Sequence, residues 1–102
     1  MNIIYKENTL TANDFLVLHN KMGLEKFPME QVKKSMAQNL FSVVAVNDNE
    51  VISMGRLLGD GALVWYINDV LVLSEYQGKG IGSEIVKRLI AVELSVYCLK
   101  QW

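Results

Sequence analysis

The segment EYQGKGIGSEIV, residues 75–86, places three glycines within five positions, directly before helix-forming residues with apolar side chains at helical spacing. Glycine loses more conformational entropy on folding than any other residue, so several together indicate unusual backbone angles or a close approach by another group. The amides at a helix N-terminus lack partners within the helix and, together with the helix dipole, attract anions. The segment therefore predicts an anion-binding loop in which Gly78, Gly80 and Gly82 have no Cβ that would hold a phosphate away.

The residues on either side of this loop predict a strand before it and an amphipathic helix after it. The run LVWYINDVLVL (63–73) is of β type, and its second half is nearly all aliphatic, which is typical of a strand covered on both faces. After the loop, helical spacing places four apolar residues on one side of the predicted helix: Ile85, Val86, Leu89 and Ile90. The loop is thus expected to join a central strand to a helix.

The first half of the chain predicts a strand followed by two helices. NIIYKE (2–7) is a short β-type run. In TANDFLVLHNKMG (11–23), Thr11 is a candidate N-cap with Asp14 three residues later, and Gly23 is a candidate C-terminal stop. A second helix is expected from Pro28 to about residue 39.

Two further β-type runs come between these helices and the loop. FSVVAV (41–46) and VISMGRLL (51–58) are separated by the turn cluster NDNE, and a tight GDGA connection leads to residues 63–73. These runs predict an antiparallel meander of three strands.

Length and composition restrict the class of protein. The chain has 102 residues, of which 51% are hydrophobic and 21% charged, and this predicts one folded domain over residues 1–102. A net charge of -1 argues against nucleic-acid partners, and no apolar run is long enough for a membrane span. The single cysteine, Cys98, cannot form an internal disulfide, and metal motifs of the CxxC type are absent from the sequence. We expect a cytoplasmic protein without a metal.

The glycine segment does not meet the requirements of two familiar phosphate-binding motifs. A P-loop requires Gly-Lys-Ser/Thr at the end of its glycine run, but Lys79 is followed by glycine. A Rossmann fingerprint requires GxGxxG near a first strand, whereas the spacing here is GxGxG after a meander. A glycine-rich turn without a ligand is the remaining structural alternative.

Gln77, Gly80 and Gly82 match the pattern Q/R-x-x-G-x-G/A, and the stretch DVLVLSEYQGKGIGSEIVKRLI (69–90) resembles the acetyl-CoA-binding motif of the GNAT N-acetyltransferase superfamily. The predicted order of elements is also that of the family's N-terminal half. The resemblance implies an α+β fold of three layers, with a mostly antiparallel sheet and flanking helices.

The resemblance also implies where acetyl-CoA, the expected co-substrate, would bind. The strand before the loop would pair with the pantetheine arm at Val70, Leu71 and Val72. Backbone amides would hold the pyrophosphate at Gln77, Gly78, Lys79, Gly80, Ile81, Gly82 and Ser83. The Lys79 side chain is either a point charge beside the phosphates or a solvated loop lysine.

Asp69 is the candidate general base, acting through water on the acceptor amine, because family members often have an acid on this strand. Its alternative role is that of a strand-end carboxylate bonded to backbone or solvent. Tyr66 and Arg56 either face the acceptor site or serve packing and surface solvation, the more common role of such residues. His19 is expected to be exposed.

The sequence departs from the family pattern in two respects. Leu73 and Ser74 occupy positions where proline is common in the family. Only twelve residues follow Ile90, too few for the strands and the helix with a tyrosine general acid that usually come next. Tyr97 lacks the surrounding motif, so no role is assigned to it. We therefore expect a truncated or frameshifted product, or a partner that replaces the missing half.

Two functions are compatible with these features. The first is acetyl-CoA-dependent N-acetylation of a small-molecule or peptide amine. The alternative is a catalytically inactive CoA-binding half-domain or remnant that acts as an interaction module. Residues 92–102 either form a short strand in which Val92, Leu94 and Val96 alternate and cover part of the sheet edge, or continue the helix, which the absence of a turn residue favours. Continuation leaves the edge of strand 63–73 open and predicts a homodimer that covers the edge or the apolar helix face.

Overall fold

The computed structural model describes the backbone of residues 1–100 and the side chains of residues 1–95. A turn of 3₁₀-helix, Ser74–Tyr76, lies between the last strand and the last helix. The strands and helices follow one another as β1 (Ile3–Glu7), α1 (Ala12–Lys21), α2 (Met29–Met36), β2 (Phe41–Asn47), β3 (Glu50–Gly59), β4 (Trp65–Val72) and α3 (Ile81–Lys100). The predicted order of elements is confirmed.

The four strands form one antiparallel sheet in the order β1-β2-β3-β4. Consecutive residues are buried along β2, from Ser42 to Val46, and along β3, from Ile52 to Leu57. Successive side chains of a strand point to opposite faces, so helices cover both faces of these two strands. The sheet and its helices therefore form the expected three layers.

β4 does not have the central position that its aliphatic second half predicted. It lies at the edge of the sheet, and all of its side chains are exposed or only half-buried. The prediction was wrong because an apolar run indicates partial burial without distinguishing an inner strand from an edge strand that packs on a helix. The strands that helices cover on both faces are β2 and β3.

α3 packs closely on one face of the sheet through Ile81, Ile85 and Leu89, which are all buried. It approaches β3 at Gly55, where an added Cβ would lie 2.5 Å from Ile85 Cγ2 and 3.1 Å from Leu89 Cδ1. Close contact between the helix and the sheet therefore depends on glycine at this position.

α1 and α2 cover the other face. Thr11 and Asp14 form the predicted capping box, with bonds of 3.0 and 3.1 Å. α1 ends at Lys21, and Gly23 has a φ of +67°, as expected of a C-terminal stop. α2 ends at Met36, three residues earlier than predicted, and the side chain of Asn39 accepts a hydrogen bond from Arg56.

α3 continues without a break to Lys100, which confirms that the residues after Ile90 extend the helix. The side chains of Tyr97 and Cys98 lie outside the described residues. Over the described part of the chain, none of the helices combines the length and apolar character needed to cross a membrane.

Candidate functional site

The glycine loop adopts the unusual backbone that its composition predicted. Gly78 and Gly80 have φ angles of +78° and +81°, values that side chains rarely tolerate. An added Cβ would meet no atom within 4 Å at either position, so the space beside this backbone is open. Gln77 Nε2 donates to the Val72 carbonyl at 3.0 Å and thereby ties the loop to the end of β4.

The first turn of α3 presents donors toward this open space. The Glu84 amide donates to the Gly80 carbonyl at 3.1 Å and is the first amide to donate within the helix, so the amides of residues 81–83 have no acceptor inside it. At Gly82 an added Cβ would lie 3.4 Å from Val72 Cγ2, which leaves room for little beyond a small side chain. Lys79 is exposed beside these groups. The arrangement fits an anion bound by backbone amides.

An apolar groove of about 690 Å³ begins beside this loop. Val70 on β4 lines one side, and α3 contributes residues that include Gly82, Ser83, Val86 and Ile90. Val70 is the one predicted pantetheine residue whose side chain lines the groove; the carbonyls of Leu71 and Val72 accept hydrogen bonds from Ser53 Oγ and Gln77 Nε2. The volume lies in the range of about 300 to 1,000 Å³ typical of ligand pockets.

β4 is interrupted by a β-bulge at Asp69. Arg56 pairs with Asn68 and Met54 with Leu71, so two residues of β4 lie opposite one residue of β3. Asp69 itself has a φ of +54°. Its backbone amide donates a hydrogen bond to Asn68 Oδ1 at 2.8 Å. Asp69 bonds Arg56 on the side of α1 and α2, whereas Val70 lines the groove beside α3, so the two residues face opposite sides of the sheet.

Arg56 is buried at 5% exposure, so of its expected roles surface solvation is wrong and packing is retained. Its Nη1 donates to Asp69 Oδ2 at 2.8 Å, and its Nη2 donates to the carbonyl and the hydroxyl of Ser35 at 3.0 and 2.9 Å. Burial is tolerated because these partners and Asn39 compensate the lost hydration. The sequence feature that indicates this burial is the position of Arg56 two residues after Met54, because the two residues lie on the same face of β3 and Met54 is buried.

His19 is also buried, at 8% exposure, and the prediction of an exposed histidine was wrong. Its ring stacks on that of Phe15 with centroids 4.0 Å apart and lies edge-on to that of Phe27 at 6.0 Å. His19 follows Phe15 by one helical turn, and this spacing indicates that both lie on the buried face of α1. Neither ring nitrogen has a hydrogen-bond partner among the described residues.

These residues line a second cavity, of about 190 Å³, between α1, α2 and the bulge. Its lining includes Phe15, His19, Phe27, Ser35, Arg56 and Asp69. The candidate base thus faces this cavity, while the loop and Val70 face the groove. Within the part of the chain that the structure describes, no three histidine, cysteine or acidic side chains cluster as they would around a metal ion.

Comparison with known proteins places this arrangement in a family. The model of the acetyltransferase (GNAT) family matches residues 10–99. A search of curated proteins found no similar sequence.

Several solved structures share the fold. One, from Staphylococcus aureus and described as "Probable Acetyltransferase", superposes with a TM-score of 0.85 at 29% identity over 93% of this chain and 71% of that one. A GNAT-family acetyltransferase from Streptococcus pneumoniae gives 0.76 at 26% identity, over 88% and 67% of the two chains. An aminoglycoside 6'-N-acetyltransferase complexed with coenzyme A gives 0.71 at 18%, over 94% and 57%, a level of identity that supports similarity of fold alone.

Proposed function

The chain belongs to the acetyltransferase (GNAT) family, and from this premise we propose that it transfers an acetyl group from acetyl-CoA to the amine of a small molecule or peptide. The observation that carries the proposal is the continuity of the glycine loop with the apolar groove beside β4. A ligand with an anionic centre and a long, uncharged arm would fit these two surfaces together. CoA has this architecture.

Each part of the proposed site has a physical role. The backbone from Gln77 to Ser83 would hold the pyrophosphate through its amides, because no Cβ fills the space at Gly78 or Gly80. Val70, Leu71 and Val72 would border the pantetheine arm. Lys79 would add a positive charge near the phosphates.

Asp69 is the proposed base for the acceptor. An amine must lose a proton before its lone pair can attack a carbonyl, and a carboxylate can receive that proton directly or through water. Arg56 engages Oδ2 of Asp69, while Oδ1 accepts none of the described hydrogen bonds. When bound, acetyl-CoA would supply the activated thioester whose carbonyl the neutral amine attacks, with the CoA thiolate as leaving group.

Binding of CoA is tested by thermal unfolding of the chain with CoA and acetyl-CoA. A ligand at one hundred times its dissociation constant stabilises the native state by about 2.7 kcal/mol. We therefore expect a rise in the melting temperature at millimolar ligand. Absence of any shift would remove the proposed function.

Glycine variants locate the binding site. Gly80→Val and Gly82→Val should each weaken CoA binding by placing a branched side chain beside the loop amides. Gly23→Val is the matched control for Gly80→Val, because Gly23 also has a positive φ, +67°, and open space around it, but lies at the end of α1. The control should lose stability and keep its CoA affinity. Unchanged affinity in both loop variants contradicts the assignment.

Turnover is measured separately, by release of free thiol and by the mass of the acetylated product over a panel of amines. Acetylation supports the transferase. Binding of CoA without product from any amine supports the alternative, a CoA-binding domain that does not catalyse transfer.

A further inference from the structure

The glycine loop is attached to the rest of the fold by very few side chains. Leu73 and Ile81, which lie on either side of it, are both buried, at 3% exposure. Of the seven residues between them, 74–80, all within the described part of the chain, Tyr76 alone has a side chain that is not exposed. Its ring packs against the core, whereas the space beside Gly78 and Gly80 is open. The position of the loop relative to the sheet therefore depends on Tyr76 more than on any other side chain of this segment.

The hydroxyl of Tyr76 is bonded to the end of β2. Asn47 Nδ2 donates to Tyr76 Oη at 2.9 Å, although the two residues are 29 positions apart. Another side chain of the segment, that of Gln77, donates to the Val72 carbonyl, which lies on the strand that leads directly into the loop. Among the described side-chain hydrogen bonds, the one between Asn47 and Tyr76 thus ties residues 74–80 to a strand other than β4.

Asn47 is itself held in one orientation. It is the last residue of β2, where it pairs with Ile3 on β1 and with Glu50 on β3. Its Oδ1 accepts from the Asn2 amide at 3.3 Å, and its Nδ2 is thereby directed at the tyrosine. Because the amide group of Asn47 cannot turn over without losing both bonds, it is a fixed point to which Tyr76 is attached.

We propose that Asn47 and Tyr76 are positioning residues for the CoA site, and that their hydrogen bond holds the glycine loop in the conformation in which its amides meet the pyrophosphate. Both residues act through the backbone of the loop. This inference rests on the proposed function for the identity of the ligand. A loop that is ordered before the ligand arrives spares the ligand the cost of ordering it. Without the bond, only a fraction of the molecules has the competent loop, and the apparent affinity falls by that fraction.

Tyr76→Phe and Asn47→Ala remove the bond from its two sides, and Tyr76→Phe keeps the ring that packs on the core. Titration calorimetry with CoA and the full chain, at a temperature at which each variant is folded, gives the dissociation constants. We expect each variant to bind CoA about twofold to tenfold more weakly, the range that corresponds to one hydrogen bond. The double variant should bind no more weakly than the weaker single variant, because both substitutions remove the same bond.

Tyr5→Phe is the matched control. Tyr5, on β1, is also partly buried and packed against the core, and its ring lies 4.6 Å from the Arg88 guanidinium carbon. None of the described hydrogen bonds joins its hydroxyl to residues 74–80. Removal of this hydroxyl should leave the affinity for CoA at the wild-type value.

The order of the loop is measured without any ligand. NMR relaxation of the Gly78 and Gly80 amides reports their motion in the free protein. We expect lower order parameters at both glycines in Tyr76→Phe and Asn47→Ala than in the wild type and in Tyr5→Phe. This measurement does not depend on whether the ligand is CoA.

The two measurements together separate positioning from stability. A bond with a structural role alone would lower the melting temperature of both variants and leave CoA affinity and loop order unchanged, and this result would overturn the inference. Additive losses of affinity in the double variant, or an equal loss in Tyr5→Phe, would also overturn it. If the wild-type protein does not bind CoA, the proposed function is removed, while loop order in the free variants still decides whether the Asn47–Tyr76 bond positions the loop.

Discussion

Arg56 connects three elements of the fold through one guanidinium group. It lies on β3 and binds Asp69 on β4, Ser35 on α2, and Asn39 in the segment after α2. These bonds hold the Asp69 carboxylate at a residue whose positive φ is otherwise unfavourable. The position of the proposed base therefore depends on a side chain from the neighbouring strand.

Replacing Arg56 should be costly. Arg56→Met leaves the partly buried Asp69 carboxylate without its cation, and removal of one member of a buried pair costs about 3 kcal/mol. Arg56→Lys should recover only part of this stability, because an ammonium group cannot reproduce the planar fork that bonds several partners at once. The midpoint of urea unfolding measures both effects.

Arg88→Met is the matched control. Arg88 pairs with Glu84 at 2.9 Å, with both side chains partly exposed, and such pairs contribute about 1 kcal/mol or less. Equal losses of stability at positions 56 and 88 would contradict the structural role of Arg56.

Single residues were predictable where the cause is local. The capping residues Thr11 and Asp14 and the positive φ of Gly23 depend on neighbours within a few positions. His19 was misplaced although its spacing of one helical turn from Phe15 indicated the buried face of α1, whereas Arg56 was misplaced because its environment is built by residues distant in sequence. The partners of Arg56 lie 13, 17 and 21 residues away, and nothing in the surrounding sequence indicates them.

At the level of elements, α1 begins with a reciprocal cap. The Thr11 hydroxyl accepts from the Asp14 amide, and the Asp14 carboxylate accepts from the Thr11 amide. Thr11→Ala should lower the free energy of unfolding by about 1 kcal/mol, the usual cost of a lost N-cap. Thr9→Ala, at an exposed position just before the helix, is the control and should change stability little. If the two variants unfold at the same urea concentration, the cap contributes nothing measurable.

The existence and order of the elements were predictable from periodicity and turn residues, but two features were not. α2 ends at Met36, and beyond its end the Asn39 side chain accepts a hydrogen bond from Arg56, a partner 17 residues away in sequence. The edge position of β4 depends on which strands pair with it, and the apolar content of one strand does not specify this. The open glycine turn before α3 was predictable because glycine and a helix start require no distant partner.

For the whole molecule, the edge of β4 is the feature with most consequence for assembly. Its exposed residues include Tyr66, at 62%, and α3 nearby exposes Ile90 and Leu94. We propose a homodimer in which a second copy covers this edge around Tyr66 and leaves the groove proposed for CoA free, burying roughly 1,600 Å², as in a standard interface. Membership of the family was predictable from the loop motif together with the order of elements. The oligomeric state depends instead on which side chains are exposed along β4 and α3, and neither the motif nor the element order specifies this.

Light scattering at micromolar concentration tests the dimer. Tyr66→Lys should produce a monomer, since lysine on an edge strand opposes pairing. Ile4→Lys places the same charge at an exposed position on β1, the opposite edge of the sheet, and should leave the dimer intact. A stable wild-type monomer, or equal effects of the two variants, would exclude assembly through β4.

Gly55 sets the height at which α3 lies above the sheet. A side chain there would collide with Ile85 and Leu89 and would lift the helix. The glycine loop is continuous with the first turn of α3 and would rise with it, whereas Val70 would stay with β4. A molecule of fixed length that reaches from the strand to the loop would then no longer touch both. The residue at position 55 would therefore make no contact with such a ligand. It nevertheless determines whether the glycine loop and β4 lie at the right distance from each other to bind it.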